Sequence, residues 1–335
     1  MGPGVNAADS QDGDARARAW SRYWGRGVRH SCPGSFHDHY GAATQAFWRE
    51  RFAQLNAEDR ALELGCGNGS LIRYLDRAGP VWPASIDAVD LAELDSQWLG
   101  QIAPALRDRV RLHPRTPAAT LPLADASVTQ VFSQYALEYF AGESCWRELA
   151  RVMSPRATLA LIAHRRESHL AHLAESESVD AQWLLAPGGP LDRAEALLPW
   201  LAMSADPAAR AQRAADPRAA AARQAFNAVY AELDARIAAA AFPDLLRETA
   251  DGVMRILQAA AGRGAAPSID ALRVLRAELE DNRLRVAELV ACALDREGIE
   301  RWQRQLQQIG CTQIEVGEIS EQNHLFGWSL VARRG

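Results

Sequence analysis

A chain of 335 residues, 48% hydrophobic and 24% charged, is long enough for a large globular domain with a substantial appendage. The formal net charge of -5 and the lack of a dense basic block argue against nucleic acid as a partner, because nucleic-acid-binding proteins present a basic face. Five scattered cysteines without a CxxC pair argue against a disulfide framework or a cysteine-rich zinc site.

Composition also bears on where the protein resides. Every basic residue is an arginine, which together with abundant alanine is typical of a GC-rich bacterial genome. The first fifteen residues lack the apolar core of a signal peptide, and no run of eighteen apolar residues is present to span a bilayer. We therefore expect a bacterial, cytoplasmic protein that does not bind a membrane.

Residues 1–57 predict a disordered start followed by a helical lid. Residues 1–15 are rich in Gly, Asp and Ala and are expected to lack structure. Two helices are expected near 15–24 and 40–56, with many aromatic residues in and between them. Such a segment forms either a lid over a binding pocket or only a hydrophobic cap on the domain behind it.

Residues 58–164 predict the core of an α/β domain. Short apolar runs alternate with helical segments, the pattern of a parallel sheet with helical crossovers. The strands are expected at 60–64, 84–89, 109–113, 128–133 and 157–163. The clearest helix between them is expected at 143–153.

Residues 165–294 predict a large all-helical insert, broken by prolines at 187–190, 207, 217, 243 and 267. Its last helix has a seam of residues three and four apart: Leu272, Leu275, Leu279, Asn282, Val286 and Leu289. A seam of this kind packs within the chain or joins two chains into a homodimer. The insert is thus a candidate acceptor-binding cap or dimerisation element.

The remaining residues, 295–335, return the chain to the core. A helix is expected near 296–309, followed by an antiparallel hairpin of strands at 313–317 and 325–333. The predicted core is therefore 58–164 plus 295–335.

The strongest motif is ALELGCGNGSL at 61–71, a strand that runs into a glycine turn and then a helix. Gly65, Gly67 and Gly69 allow a tight turn and let a ligand approach the main chain. The spacing is GxGxG, whereas a dinucleotide fingerprint requires GxGxxG, which disfavours a nicotinamide enzyme.

This motif resembles the glycine motif of class I S-adenosylmethionine-dependent methyltransferases, including the acid Glu63 two residues before the first glycine. LPLADASVTQVFSQYALEY at 121–139 resembles the fourth-strand region of the ubiquinone-biosynthesis-type members. RELARVMSPRATLALIAH at 147–164 resembles their next helix and strand, and LFGWSLVARR at 325–334 resembles their last strand. The resemblance implies a Rossmann-like seven-stranded sheet with an antiparallel last strand, here with an N-terminal helical lid and a helical insert after the fifth strand.

The resemblance implies S-adenosylmethionine as cofactor and assigns residues to it: Glu63, Gly65, Cys66, Gly67, Gly69, Asp90, Leu91 and Gln134. Asp90, at the predicted end of the second strand, corresponds to the acid that accepts hydrogen bonds from the ribose hydroxyls. Asp87 is a rival for that role, and Asp90 could also be only a helix N-cap. The acid that often reaches adenine in this family has no counterpart in HPRTPAAT at 113–120.

Candidate catalytic residues are His164, Tyr135 and His37. His164 follows the fifth strand and is a possible general base, since a neutral imidazole can take a proton; the alternative is a capping or surface histidine. Tyr135 would orient the acceptor or pack under the cofactor, and His37 would contact substrate from the lid. The spacing of His30, Cys32, His37 and His39 fits no standard zinc pattern, so no metal is expected.

The function expected is methyl transfer to oxygen or nitrogen of a small-molecule acceptor, a metabolite or natural-product intermediate. The acidic pI and the position of the insert favour an acceptor of that size. The alternative is a catalytically idle methyltransferase fold whose insert binds a partner protein.

Overall fold

The computed structural model describes residues 7–30 and 40–335, which divide into two compact units. The first comprises Met1–His172 and Glu288–Gly335, and the second comprises Leu173–Ala287. The second unit lies inside the helical insert expected at 165–294, eight residues after its start and seven before its end. The two long helices that connect the units account for the difference, because each begins in one unit and ends in the other.

The first unit contains a seven-stranded sheet. Its strands are β1 Arg60–Leu64, β2 Ser85–Val89, β3 Val110–His113, β4 Val128–Gln134, β5 Met153–His164, β6 Cys311–Glu321 and β7 His324–Arg334. They lie in the order β3-β2-β1-β4-β5-β7-β6. Strands β1 to β5 pair in parallel, and β7 is antiparallel to both β5 and β6. The predicted α/β fold, with its seven-stranded sheet and antiparallel last strand, is confirmed.

Both faces of the sheet are covered, because successive residues of each strand face opposite sides. Ala61 belongs to an apolar cluster with Trp48, Phe52 and Ile72, while Leu62 belongs to a second cluster. That second cluster contains Leu149 and Trp302, among other residues. Strand β1 is therefore buried on both sides, and only its carboxyl end is available to a ligand.

The helices of the first unit are α1 Ala7–Gly25, α2 Ala42–Phe52, α3 Ser70–Ala78, α4 Pro104–Arg107, α5 Glu143–Val152 and α12 Arg296–Gln308. Helix α1 begins at Ala7, so the segment 7–15, expected to lack structure, is helical instead. Its alanines favour helix, and this outweighs the polar composition on which the expectation rested.

The second unit is all-helical in its described residues, as the sequence predicted. Its helices are α7 Pro190–Ala202, α8 Pro207–Ala215, α9 Pro217–Ala239 and α10 Asp244–Arg263, with parts of α6 His169–Leu184 and α11 Ala265–Cys292. Three of the helices start at proline, which needs no hydrogen-bond donor at the first helical position. Pro267 lies in the first turn of α11 and does not break it.

The seam of α11 contributes to the core of the second unit. Leu272 and Leu279 are 1% and 4% exposed and cluster with Leu198, Phe226 and Leu257. Their packing partners are therefore helices of the same chain. Among the helices that the structure describes, none combines the length and the apolar character needed to cross a membrane.

Candidate functional site

The glycine turn between β1 and α3 has a backbone that only glycine adopts readily. Gly65, Gly67 and Gly69 all have positive φ, at 69°, 48° and 68°. The N–H groups of Gly65 and Cys66 both donate to the Val89 carbonyl, at 2.8 and 3.1 Å, which fixes the turn beside the end of β2. The turn is thus held at the carboxyl edge of the sheet.

Side chains of the protein itself pack against this turn. A Cβ added to Gly67 would lie 2.5 Å from the Trp24 ring, and one added to Gly69 would overlap the Trp98 ring. The sequence attributed the three glycines to the tight turn and to ligand approach. In the structure the same positions also admit two tryptophans.

Asp90 follows β2 and reaches the glycine turn. Its Oδ2 accepts a hydrogen bond from the Gly67 N–H at 2.9 Å, and its Oδ1 accepts one from the Ala92 N–H at 2.8 Å. Burial raises the pKa of this carboxyl, and the backbone hydrogen bonds oppose that rise. Its rival Asp87 lies on β2 and bonds to Nε2 of His113 at 2.8 Å.

A cavity of about 1160 Å³, solvent at its mouth included, lies at this edge of the sheet. Six of the residues predicted for the cofactor line it: Glu63, Gly65, Cys66, Asp90, Leu91 and Gln134. Tyr135 lines it too, whereas Gly67 and Gly69 belong to the same turn but are not in the wall. The strand order reverses here, between β1 and β4, where open α/β sheets bind their ligands.

The carboxyl of Glu63 is buried in the floor of this cavity. Its pKa is raised to about 8, first by burial and then by the neighbouring Asp90, while Arg73 opposes the rise. Its Oε2 finds no hydrogen-bond partner among the described residues. Glu63 is therefore mostly protonated at neutral pH and has an oxygen left over for a ligand.

His164 ends β5 and lies behind the cavity wall. Its side chain is 1% exposed, and its ring stacks on Tyr135 with the centroids 4.5 Å apart and the planes at 22°. Its backbone N–H donates to Oε1 of Glu138 at 2.7 Å. Burial lowers the pKa of the imidazole to about 3, so the ring is neutral at physiological pH.

His164→Phe is expected to make stability less sensitive to acid. In the wild type the unfolded chain takes up a proton below about pH 6.5 while the folded ring does not, so stability falls between that pH and about 3. Phenylalanine removes this loss and keeps a ring on Tyr135. The free energy of unfolding of the variant minus that of the wild type should be about 1–2 kcal/mol higher at pH 5 than at pH 7.5.

Urea denaturation at the two pH values measures this effect. His172→Phe is the matched control, because His172 is exposed. An equal difference between His164→Phe and the wild type at both pH values would show that His164 takes up a proton in the folded protein.

Tyr135 is held in an unusual backbone conformation at the end of β4. Its φ is +51°, and its N–H donates to the Ile162 carbonyl at 2.7 Å. A non-glycine residue in this region costs about 1–3 kcal/mol and is frequent at functional sites. Next to it, Gln134 accepts a hydrogen bond from Nε1 of Trp48, which fixes its amide.

The third predicted catalytic residue, His37, lies outside the described residues, as do Cys32 and His39. In the part of the chain that the structure describes, no group of three His, Cys, Asp or Glu side chains is arranged to hold a metal ion.

Residues 62–161 match the family model described as a methyltransferase domain. The match covers 100 of the 335 residues, so the likeness to methyltransferase domains belongs to this segment. The match begins in β1 and ends in β5, so the matched segment contains the glycine turn, Asp90 and Tyr135. Helices α1 and α2, the second unit and the last two strands lie outside it. A search of curated proteins gives no match.

Several solved structures are similar to the chain. One is a complex between the Haloferax volcanii Trm112 methyltransferase activator and a methyltransferase, at 18% identity and a TM-score of 0.34, covering 44% of this chain and 60% of that one. Another is geranyl diphosphate C-methyltransferase from Streptomyces coelicolor, at 16% identity and a TM-score of 0.35. The match covers 45% of this chain and 65% of that one. The YcgJ protein from Bacillus subtilis has 15% identity and a TM-score of 0.34, covering 87% and 97%. The chain thus spans less than two thirds of the length of the first two proteins.

The sequence analysis did not predict one wall of this cavity. Arg16, Trp20 and Trp24 of α1 line it, together with Tyr139 and Phe140 after β4. The first three are four residues apart and so share one helix face, a spacing that was available as a signal. Segment 116–119, where the expected adenine-binding acid is missing, also lines the cavity.

Helix α1 and the residues after it are hydrogen-bonded to the glycine turn and to the segment after β2. Nδ2 of Asn68, in the glycine turn, donates to the carbonyls of Trp24 and Val28 at 2.9 and 2.8 Å. The Glu93 N–H donates to Oγ of Ser21 at 2.8 Å. These bonds hold the α1 face against the cavity.

Proposed function

We propose that the protein binds S-adenosylmethionine in this cavity and transfers its methyl group to oxygen or nitrogen of a small-molecule acceptor. The observation that carries the proposal is the meeting of Asp90 and the glycine turn in one cavity at the switch point of the sheet. A family match over this segment supports it.

The cavity residues offer hydrogen-bond acceptors and apolar contacts that fit this cofactor. Glu63 has a buried oxygen without a partner, which suits a hydrogen-bond donor such as an ammonium group. The Asp90 carboxylate can accept further hydrogen bonds from ribose hydroxyls, since each of its oxygens has two acceptor sites. Segment 116–119, Thr-Pro-Ala-Ala, offers apolar contacts and backbone groups to the adenine ring.

Catalysis would then depend on orientation of the acceptor. The bound cofactor supplies a methyl group that its positively charged sulfur already activates. Holding two reactants in line contributes as much as about 7–11 kcal/mol in favourable cases. We assign this task to Tyr135, whose ring is in the cavity wall and whose backbone is fixed to β5.

His164 then acts as a positioning residue, because it stacks on Tyr135 from behind and does not line the cavity. His37 stays a predicted contact to substrate. The net charge of -5 favours a metabolite-sized acceptor over nucleic acid.

Calorimetric titration with S-adenosylhomocysteine, the product form of the cofactor, tests the proposal. We expect one binding site, and at a hundredfold excess over the Kd a stabilisation of about 2.7 kcal/mol. NAD is the control ligand and should give no heat. Binding of NAD alone would contradict the proposal, and binding of neither would favour an idle scaffold whose insert serves a partner protein.

A further inference from the structure

The cavity is bordered by aromatic rings from three parts of the first unit. We call these the aromatic belt: Trp20, Trp24, His30, Tyr40, Tyr135 and Tyr139. They come from α1, from the residues around α2 and from the turn after β4, and all of them are cavity-lining residues. The rest of the wall includes alanines, Leu64 and Pro117, so the cavity is mainly apolar.

On the α1 side the rings contact one another directly. Trp20 and Trp24 lie nearly parallel, with centroids 5.8 Å apart and planes at 24°. Trp20 also meets Tyr139 edge to face at 5.9 Å. The flat rings of the two tryptophans and the tyrosine therefore form one continuous apolar surface.

His164 contacts both belt residues that follow β4, Tyr135 and Tyr139. It lies 6.1 Å from Tyr139 and 4.5 Å from Tyr135, centroid to centroid. Tyr135 then contacts Tyr40 at 5.1 Å, and Tyr40 contacts His30 at 4.9 Å. The belt is thus a connected series of rings, supported from behind by a buried neutral imidazole.

Aromatic side chains that line a cavity favour flat guests. Rings attract one another in offset-stacked or edge-to-face arrangements, by about 0.5–1.5 kcal/mol beyond the area they bury, which corresponds to a factor of about 2 to 12 in affinity. An aliphatic guest of equal size gains the burial without this addition. The belt therefore selects for a planar aromatic acceptor.

Arg16 adds a charge at the same wall. Its Nη1 donates to the Tyr139 carbonyl at 3.3 Å, and its Nε pairs with Glu288. A guanidinium has five N–H donors, so these two bonds leave donors unused. In the residues that the structure describes, no hydrogen bond is formed by its Nη2. A guanidinium with free donors beside an apolar cavity suits a carboxylate.

We propose that the acceptor is a planar aromatic molecule with an acidic substituent, its ring held by the aromatic belt and its acidic group bonded to Arg16. This inference rests on the proposed function, since the cofactor takes up the part of the cavity near the glycine turn. Trp24 packs on that turn, so the acceptor is assigned to the other end of the α1 face, with Arg16, Trp20 and Tyr139.

A cationic acceptor fits these residues less well, although aromatic rings also bind cations. Arg16 would repel a positive group, and Glu63, with its pKa raised to about 8, carries little negative charge at pH 7. Asp90 also lines the cavity, but it lies at the glycine turn, in the part assigned to the cofactor. On the α1 side the charged lining residue is Arg16, which favours an acidic guest.

Four probes, titrated into the full chain saturated with S-adenosylhomocysteine, test the inference: 4-hydroxybenzoate, 4-hydroxybenzamide, cyclohexanecarboxylate and benzyltrimethylammonium. We expect 4-hydroxybenzoate to bind about tenfold more tightly than the neutral benzamide, the gain from one charged hydrogen-bonded pair. It should also exceed cyclohexanecarboxylate, which has the acid without the ring. Tighter binding of the ammonium, equal binding of all four probes, or no binding up to 10 mM would each overturn the inference. A Kd of 10 mM corresponds to a binding free energy of about 3 kcal/mol.

Two variants of the same ion pair shift the result in opposite directions. Arg16→Met should remove the preference for benzoate over benzamide, while Glu288→Gln should increase it, because the guanidinium loses its competing carboxylate. Arg18→Met is the matched control, since Arg18 is exposed on the same helix and is not a cavity-lining residue. If Glu288→Gln lowers the preference, Arg16 does not bind the acidic group.

The first titration step separates this inference from the proposed function. If S-adenosylhomocysteine itself fails to bind, the proposed function fails and the inference fails with it. If it binds normally while the probes show no preference for an aromatic acid, only the acceptor class is wrong.

Discussion

Asp90→Ala is expected to weaken the binding of S-adenosylhomocysteine by about 100-fold or more, because two hydrogen bonds to a charged carboxylate are worth about 3 kcal/mol or more together. The substitution also removes the acceptor for the Gly67 and Ala92 N–H groups, which loosens the glycine turn. Both effects act on the same ligand. Calorimetric titration of the variant and the wild type measures the change.

The controls separate a binding effect from a folding effect. Asp95→Ala removes another carboxylate that accepts a backbone hydrogen bond, from Gln97, but Asp95 is exposed and does not line the cavity. It should leave cofactor affinity within about twofold, the small effect usual for an exposed position. Asp90→Asn keeps one acceptor oxygen and should fall between alanine and the wild type. Unchanged affinity in Asp90→Ala, in a folded protein, would mean that the ribose contact lies elsewhere.

Gly65→Ala is expected to destabilise the first unit by about 2–5 kcal/mol, from a left-handed backbone and an overpacked contact together. Gly65 has φ +69°, and a Cβ there would overlap the Cβ of Ala136. Neither carbon can rotate away, since both are fixed by the backbone. The loss should appear as a lower urea midpoint, followed by tryptophan fluorescence.

Three further variants assign the two causes. Gly310 also has a positive φ, +91°, but a Cβ added there would have only ordinary contacts, at 3.8 Å or more. Gly310→Ala should therefore lower the free energy of unfolding by about 1–2 kcal/mol. Gly100 is exposed, and a Cβ added there would have open space around it. Gly100→Ala should lower the free energy of unfolding by about 0.5 kcal/mol or less. The double variant Gly65→Ala with Ala136→Gly should recover the share due to contact. No recovery would show that backbone strain alone accounts for the loss.

Much of the α/β core could be predicted from the sequence because its signals are local. A buried parallel strand needs a short apolar run, as in β1, and the tight turn after it needs residues that adopt positive φ, as Gly65, Gly67 and Gly69 do. Prolines mark the starts of α7, α8 and α9 for the same kind of reason. These features depend on residues only a few positions apart.

Predictions were less accurate where a distant partner sets the outcome. Strand β5 begins at Met153, four residues before the predicted start, because Met153 pairs with Val128 of β4 ahead of a bulge. Pro155 and Arg156 lie within the strand, although Arg156 has a φ of +67°. The second unit, Leu173–Ala287, lies inside the insert predicted at 165–294, since α6 and α11 run through both of its limits.

The candidate site shows the same division. Asp87 and Asp90 are both acids near the end of β2, and only the paired sheet shows that Asp87 bonds to His113 while Asp90 reaches the cavity. His164 was predicted at the strand end, but its burial behind Tyr135 depends on the strand beside it, β7. Arg16 and the α1 tryptophans come to the cavity from more than forty residues away along the chain.

The sequence by itself determined the strand–turn–helix units, the glycine turn and the class of fold, since each follows from side chains and backbone preferences within a short window. Only the tertiary structure decided which polar groups share a cavity, which histidines are shielded from water, and which aromatic rings form the cavity walls. Those properties belong to contacts between distant segments, and the free energy of burial that sets them has no local pattern along the chain.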